Sequence, residues 1–226
     1  PRREMNMTSM KDLTPSLLLA ALLALPFAAQ AQLPSLKNLP GLGALGSSKS
    51  DSGNVTGQND ALVRGYVAAN KDVLLANALM AESLGLKDQA ATARATAEAL
   101  TDGATKGNLE DSNKAVSAST EAVAAEIAKS PKLDAQSKAT YQSGLAKLAQ
   151  GLLKYVNLRQ PAQSFATGLK EASPMVLPKL QSGAYIVGQL PNGISNVATS
   201  VKNASAFAKS NDIPVPPDAT QALAAL

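Results

Sequence analysis

Apolar residues recur at helical spacing along most of the chain after Asn59, and this periodicity limits the fold more than any other feature. An amphipathic helix places apolar residues three or four positions apart, whereas a half-buried strand alternates at every second position. The first such segment covers residues 60–83, with Asn59 or Asp60 as its cap and Gly85 as its stop. Its apolar face contains Leu62, Tyr66, Ala69, Val73, Ala76 and Met80.

The same pattern predicts further helices, and glycine and proline residues separate them. They cover residues 87–101, 109–129, 130–159, 162–172, 175–190 and 194–209. Ser130 is expected to cap the fourth helix, and Pro191 to Gly193 to form a turn. No alternation typical of strands persists. The sequence therefore predicts an all-α fold, an alanine-rich antiparallel bundle of five to seven helices over residues 59–210.

Residues 1–31 are typical of a secretory signal peptide. A positive charge precedes an apolar run, 17–29, that falls short of the roughly 20 residues needed to span a bilayer. Ala29 and Ala31 place small residues where signal peptidase recognises them, so cleavage is predicted before Gln32. An uncleaved anchor and a core helix are the alternatives. The product is expected to be exported, soluble, and periplasmic or extracellular.

Two further segments lack sustained helical periodicity. Residues 32–58 are rich in Gly, Ser, Pro and Asn, which predicts a flexible linker. Leucines recur there at every third position, so a short docking segment is the alternative. Residues 211–226 form a proline-rich tail, expected to run extended until Asp218 caps a short helix. Ile213 and Val215 are the residues expected to strap its extended part across the bundle.

The chain has no cysteine and no histidine, which restricts its chemistry. Disulfides, lipidation at cysteine, and ordinary zinc, haem and iron–sulfur sites all need these residues. Catalytic triads that depend on histidine are excluded for the same reason. We therefore predict no catalytic, cofactor-binding or metal-binding residues, and a protein that is not an enzyme. An enzyme that uses carboxylate, lysine or tyrosine chemistry is a minor alternative.

Charge is distributed unevenly along the chain. Residues 59–128 carry six basic and ten acidic side chains, whereas residues 129–180 carry eight basic and two acidic ones. One interpretation pairs the basic fourth helix with the acidic second and third helices. The other makes the basic segment a face for an anionic partner, such as a cell-envelope surface, a lipid headgroup or an acidic protein. Candidate residues for that face are Lys138, Lys147, Lys154 and Arg159.

Tyrosines indicate a candidate ligand site. Tyr141, Tyr155 and Tyr185 are placed to line an apolar pocket between the fourth helix and the apolar segment 175–190. Two functions follow as hypotheses: an exported, non-enzymatic binding or scaffolding module, or a carrier of a lipid or other apolar ligand between helices. The expected partner is a protein or an anionic envelope surface, with peripheral membrane contact as an option. Nucleic acid is not expected, because few aromatic residues are available to stack on bases.

Overall fold

The computed structural model describes residues 52–226, with side chains from residue 54 onward. This part is mostly helical and contains no strand, so the all-α prediction is confirmed for it. The predicted signal peptide, with its cleavage residues Ala29, Ala31 and Gln32, lies outside the described residues. Seven α-helices occur within the described range: α1 Ser52–Ser83, α2 Lys87–Ala99, α3 Lys106–Ile127, α4 Ala135–Asn157, α5 Arg159–Lys170, α6 Gln181–Ser210 and α7 Pro217–Ala224.

Helix α1 lies at the centre of the described part and contacts α2, α3, α4, α5 and α6. Buried residues occur all round it, as expected of a helix that other helices enclose. Because one helix serves five neighbours, their apolar faces share a single core. The buried residues of α1 include Leu62, Val67, Val73, Leu74, Ala76 and Met80.

Helix α1 begins at Ser52, eight residues before the predicted start, so the predicted linker 32–58 ends in a helix. The remainder of that segment lies outside the described residues. Val55 is buried and packs near Gly168 of α5. Asn59 is also buried, and its side-chain oxygen accepts a hydrogen bond from the Gly183 N–H at 2.9 Å. These long-range contacts outweigh the low helix propensity of the local sequence.

Two glycines on α4 let this helix approach α1 closely in antiparallel orientation. Gly144 faces Ala76, and Gly151, one heptad later, faces Ala69. A Cβ atom added at Gly144 would lie 2.8 Å from Met80 Cγ and 3.1 Å from the Ala76 carbonyl oxygen. The carbonyl belongs to the backbone and cannot rotate away. A larger residue at this position therefore has to displace one of the two helices.

Gly144→Ala is expected to destabilise the protein by a net 1–3 kcal/mol or so, the usual cost of overpacking a core. Gly188→Ala on α6 is the matched control, since a Cβ atom there would meet nothing within 4 Å. That control should stabilise α6 by up to about 1 kcal/mol, because alanine is the better helix former. Urea unfolding measures both changes. Equal stabilisation by the two substitutions would contradict the close approach of α1 and α4.

The junction between α3 and α4 differs from the prediction. Ser130 does not cap the fourth helix; it has a positive φ of 52° and ends the turn that follows α3. Asp134 is the N-cap of α4, and its carboxylate accepts a hydrogen bond from the Ser137 N–H at 2.7 Å. A carboxylate makes a stronger, charge-assisted hydrogen bond than a hydroxyl, which favours the later start.

Two prolines lie inside helices, although α4 ends at Asn157, close to the end near Arg159 expected from Pro161. Pro161 occupies the first turn of α5, where backbone N–H groups have no intrahelical acceptor. Pro191 lies within α6, which is continuous, so the predicted turn from Pro191 to Gly193 is wrong. Leu190 and Ile194 are buried on either side of that proline. Their packing outweighs the one hydrogen bond that the proline removes.

The apolar segment 175–190 does not form one core helix. Met175 and Leu177 are 87% and 42% exposed, and a short 3-10 helix, Leu177–Leu180, precedes α6. The predicted core helix is therefore wrong for residues 175–180. None of the described helices has the length and hydropathy needed to cross a membrane.

The C-terminal segment packs against the other helices. Ile213 is buried and Val215 is half-buried, which is the contact expected of the predicted strap. Helix α7 follows and contacts α4 and α6. Asp218 does not cap this helix, because it lies inside the first turn; its carboxylate accepts a hydrogen bond from Gln150 Nε2 at 3.4 Å.

Candidate functional site

A groove of about 380 Å³ opens between α3 and α6, and α1 and α4 form its floor. Tyr66, Met80 and Tyr155 belong to the floor, while Val116 and Val197 belong to an apolar patch on the walls. A volume in this range suits a small molecule. Most of the remaining wall carries amide and hydroxyl side chains: Asn113, Ser117, Thr120, Gln189, Asn192, Asn196, Thr199, Ser200 and Asn203.

The groove carries almost no charge. Among the described residues that line it, Glu121 has the only charged side chain, and it is exposed to solvent. Amide groups donate and accept hydrogen bonds without charge, and hydroxyl groups do the same. Within residues 52–226, no group of three or more acidic residues is placed to hold a metal ion. The groove therefore offers uncharged polar groups beside an apolar surface.

A ladder of polar side chains at heptad spacing holds α3 beside α1. Asn70 Nδ2 donates to Ser112 Oγ at 2.7 Å, and Asn77 Nδ2 donates to Ser119 Oγ at 2.9 Å. All four residues are buried, and the two serines are half of the buried residues of α3. The two helices run parallel, since both residue numbers rise together. Helix α3 therefore depends on hydrogen bonds as well as on apolar burial.

Two buried tyrosines join this ladder to the groove floor. The Tyr155 hydroxyl donates to Asn70 Oδ1, and the Tyr66 hydroxyl donates to Asn113 Oδ1 at 3.0 Å. The two rings pack edge to face, with centroids 5.3 Å apart. Asn113 Nδ2 continues the network outward by donating to the Tyr185 hydroxyl at 2.9 Å. Hydrogen bonds thus link α1, α3, α4 and α6 around the groove.

Burial changes the acidity of both floor tyrosines. Desolvation raises the pKa of Tyr66 from its usual 10.0 to about 12. The pKa of Tyr155 is raised well above 10.0, again mainly by burial. Both phenols are therefore protonated at neutral pH and act as fixed hydrogen-bond donors. A general base would need a pKa close to the working pH.

The three tyrosines assigned from sequence do not share one site. Tyr155 lies in the groove floor, and Tyr185 lines a shallow pocket beside the groove. Tyr141 is fully buried and does not line the groove, although its hydroxyl donates to the carbonyl oxygen of a lining residue, Ala204, at 3.2 Å. The expected pocket adjoined the fourth helix and segment 175–190. In the structure, α3 and α6 form the walls of the groove and α4 contributes only to its floor.

Two of the candidate basic residues pair with a buried carboxylate. Lys147 Nζ and Lys154 Nζ lie 3.3 Å and 2.5 Å from the two carboxylate oxygens of Asp72 on α1. Asp72 is only 8% exposed, and the two lysines offset the cost of burying its charge. Charge pairing therefore occurs between α4 and α1, not between α4 and the predicted second and third helices.

The other two basic residues lie apart from that pair. Lys138 precedes Lys147 by nine residues, which is half a turn round the helix. Arg159 belongs to α5, and its Nη1 donates to the Leu226 carbonyl oxygen at 3.0 Å. The structure therefore does not bring Lys138, Lys147, Lys154 and Arg159 together on one face.

The ladder residues were not predicted, although the sequence contains a signal for them. Asn70 and Asn77 interrupt the apolar face of α1 seven residues apart, and Ser112 and Ser119 repeat this spacing in α3. Polar residues at heptad positions of an apolar face indicate hydrogen bonds between helices. Which two helices they join depends on the tertiary arrangement, so the spacing alone does not identify the pair.

Comparisons with known proteins do not add a candidate function. No family model matches the sequence, and no curated protein or solved structure matches it. The proposed function therefore rests on the geometry of the groove and its neighbouring surfaces.

Proposed function

We propose that this chain is an exported, non-catalytic binding protein that holds a small, neutral, polar ligand in the groove between α3 and α6. The observation that carries the proposal is the wall of uncharged amide and hydroxyl side chains over a floor fixed by hydrogen bonds. Export rests on the signal-peptide pattern of residues 1–31.

The composition of the wall indicates the class of ligand. A molecule rich in hydroxyl or amide groups replaces the water that hydrates the wall with hydrogen bonds of its own. The apolar patch formed by Val116, Val197 and their neighbours favours a ligand with one less polar face. Neutral saccharides and short uncharged peptides have both properties.

Alternative ligands and activities fit the groove less well. A purely apolar lipid would strip water from the amide and hydroxyl groups without replacing their hydrogen bonds. An anion finds no cationic side chain among the described lining residues. The floor tyrosines stay protonated, which favours binding over acid–base catalysis.

Filling the groove tests the proposal. Ala124 lines it and Ala125 does not; both residues are exposed on α3. Ala124→Trp should weaken ligand binding at least about tenfold, equivalent to roughly 1.4 kcal/mol, whereas Ala125→Trp should have no effect. Protein from the exported fraction is first analysed by native mass spectrometry. A panel of neutral disaccharides and dipeptide amides is then titrated, with NMR chemical shifts as the measurement.

Binding that shifts groove resonances and is lost only in Ala124→Trp supports the proposal. Two results contradict it. One is an empty protein in the mass spectrum together with no shifts for any panel member. The other is equal binding by the two tryptophan variants, which would place the ligand elsewhere.

A further inference from the structure

Four side-chain amides form a stripe along the α6 wall of the groove between α3 and α6. They belong to Gln189, Asn192, Asn196 and Asn203, which follow one another at intervals of three, four and seven residues. Residues at these intervals lie on one face of a helix. At a rise of about 1.5 Å per residue, the stripe is about 20 Å long, so the groove is elongated along α6.

The amides of this stripe have no partner inside the described part of the protein. Among residues 54–226, none of the four forms a side-chain hydrogen bond. The three asparagines are exposed, and Gln189 is half-buried. Each amide therefore presents a free N–H donor and a free carbonyl acceptor to the groove.

The helices that form the two walls run in the same direction. Helix α4 is antiparallel to α6, because Tyr155 lies near Gly193 and the Tyr141 hydroxyl donates to the Ala204 carbonyl oxygen. Helix α4 is also antiparallel to α1, and α3 is parallel to α1. Helices α3 and α6 are therefore parallel, and the groove follows both of them.

The α3 wall adds polar groups opposite the amides. Ser117 lines it and is exposed, and the hydrogen bond between Asn113 and Tyr185 joins the two helices at one end of the groove. Val116 is half-buried and Val197 is buried, so apolar surface lies deeper than these exposed polar groups. The groove therefore has two polar edges above an apolar interior.

An extended peptide matches this arrangement. Its main chain presents N–H and C=O groups along both edges, and a side-chain amide offers an acceptor for the first and a donor for the second. Alternate side chains point to opposite faces of an extended chain, so apolar ones reach the interior while the others face solvent. Main-chain hydrogen bonds combined with pockets for alternate side chains are an established mode of peptide recognition.

A saccharide matches the same groove less well. The flat faces of a sugar ring carry C–H groups, which pack favourably against exposed aromatic rings. Among the described residues that line the groove, Tyr66 and Tyr155 have the only aromatic rings, and each is 1% exposed. A sugar ring therefore finds no aromatic surface to stack on.

We propose that the groove between α3 and α6 binds an uncharged peptide segment in extended conformation, about six residues long at about 3.3 Å per residue. Its main chain lies between the α6 amides, with Asn192 and Asn196 at their centre, and Ser117 on α3. Every second side chain contacts the apolar patch at Val116 and Val197. This inference rests on the proposed function, since it assigns a class of ligand to the same groove.

A length series tests the span of the site. N-acetylated, C-amidated peptides of alternating serine and valine, two, four, six and eight residues long, are titrated into protein from the exported fraction, with NMR chemical shifts as the measurement. Affinity should rise at least about tenfold from two residues to six and change little from six to eight. Equal affinity for all lengths would overturn the extended peptide.

Methylation of the peptide nitrogens tests the main-chain hydrogen bonds. One hexapeptide is methylated at the nitrogen of every serine, and another at that of every valine, because these two sets of N–H groups point to opposite edges. At least one of them should bind about tenfold more weakly than the unmethylated hexapeptide. Undiminished binding of both would overturn the proposal.

Substitution of the central amides tests the α6 edge. Asn192→Ala combined with Asn196→Ala should weaken hexapeptide binding about tenfold. Gln89→Ala, at an exposed amide of α2 outside the groove, is the control and should leave binding unchanged. The methylation that weakens binding most should cost clearly less in the double variant, because the same hydrogen bonds are already missing. Equal binding by the double variant and the control would overturn the contact.

The outcomes separate this inference from the proposed function. Binding of neutral disaccharides in the groove without binding of the peptides would overturn the peptide assignment and leave the proposed function standing. Binding of neither class would overturn this inference, and together with an empty protein in the mass spectrum it would overturn the proposed function as well. Circular dichroism verifies that the variants are folded. The length series and the methylated peptides use the unsubstituted protein, so they decide the matter even if a variant is not.

Discussion

Asn70→Ala is expected to lower the free energy of unfolding by about 3–5 kcal/mol, a large effect for one polar side chain. Asn70 is completely buried and forms hydrogen bonds with Ser112, Asn113 and Tyr155. Its removal leaves the hydroxyl groups of Ser112 and Tyr155 without these partners. Each buried polar group left unsatisfied costs about 1–3 kcal/mol, and the lost packing adds to this.

Asn77→Ala is the matched comparison, one heptad along the same ladder. It should cost clearly less, because Ser119 Oγ keeps its hydrogen bond to the Val116 carbonyl oxygen at 3.1 Å. Urea unfolding of the two variants measures the difference. Equal losses would indicate that burial of the asparagines, and not their hydrogen bonds, stabilises the contact between α1 and α3.

A double-mutant cycle isolates the contact with Tyr155. Tyr155→Phe removes the hydroxyl that Asn70→Ala leaves unpaired, so the double variant should be more stable than the sum of the single losses predicts. The expected coupling is about 1–3 kcal/mol, typical of residues in one hydrogen-bond network. Strict additivity would rule out the Tyr155–Asn70 hydrogen bond as a significant contribution to stability.

The same substitution has a consequence for the candidate site. Helix α3 supplies one wall of the groove, and only four of its residues are buried: Leu109, Ser112, Ser119 and Val123. Half of these are serines of the ladder. Weakening the ladder should therefore raise the rate of amide hydrogen exchange in α3 before it raises that rate in α4. The hydrogen bonds that determine stability thus also position the groove wall.

Helices whose ends are set by neighbouring residues in the sequence were predicted well. Helix α2 is predicted over residues 87–101 and found at Lys87–Ala99, because Gly85 adopts the left-handed conformation that separates it from α1. Tertiary contacts decided the exceptions. The start of α1 extends to Ser52 because Val55 and Asn59 are buried by α5 and α6, which no local pattern shows.

The candidate sites were less accessible from sequence than the helices. Tyr155 was identified as a pocket residue, but its hydrogen bond joins residues 85 positions apart in the chain. Arg159 was identified as a cation for an anionic partner, yet its place beside Leu226 depends on α7 returning along α4. Periodicity identifies the apolar face of a helix. It does not identify which helix faces pack against each other. A groove forms only where two neighbouring helices leave a gap between their faces.

Raising the pH above 10 is expected to destabilise the protein steeply. Burial raises the pKa of Tyr66 to about 12, and it raises the pKa of Tyr141 and Tyr155 above their usual 10.0 as well. All three are neutral in both states below pH 10, so their contribution to stability is fully present there. Above pH 10 the unfolded chain loses these protons while the folded protein keeps them, so stability falls as the pH rises.

The magnitude of this loss follows from the number of retained protons. Between its unfolded and folded pKa values, each tyrosine lowers the free energy of unfolding by about 1.4 kcal/mol per pH unit. Three tyrosines together lower it by about 4 kcal/mol per unit. The loss over two pH units is comparable to the whole free energy of unfolding of an ordinary domain, roughly 5–15 kcal/mol. Unfolding is therefore expected before the folded-state pKa of Tyr66, about 12, is reached.

Tyr141→Phe provides the decisive comparison, because it removes one titrating group and only one hydrogen bond, the one to Ala204. The variant should lose some stability at neutral pH, yet its stability should fall with pH by about 1.4 kcal/mol per unit less than that of the unsubstituted protein. All other titratable groups are shared by the two proteins, so the difference in slope isolates Tyr141. Urea unfolding across this pH range measures it. Parallel stability curves would mean that Tyr141 ionises as readily in the folded state as in the unfolded chain, which its complete burial should prevent.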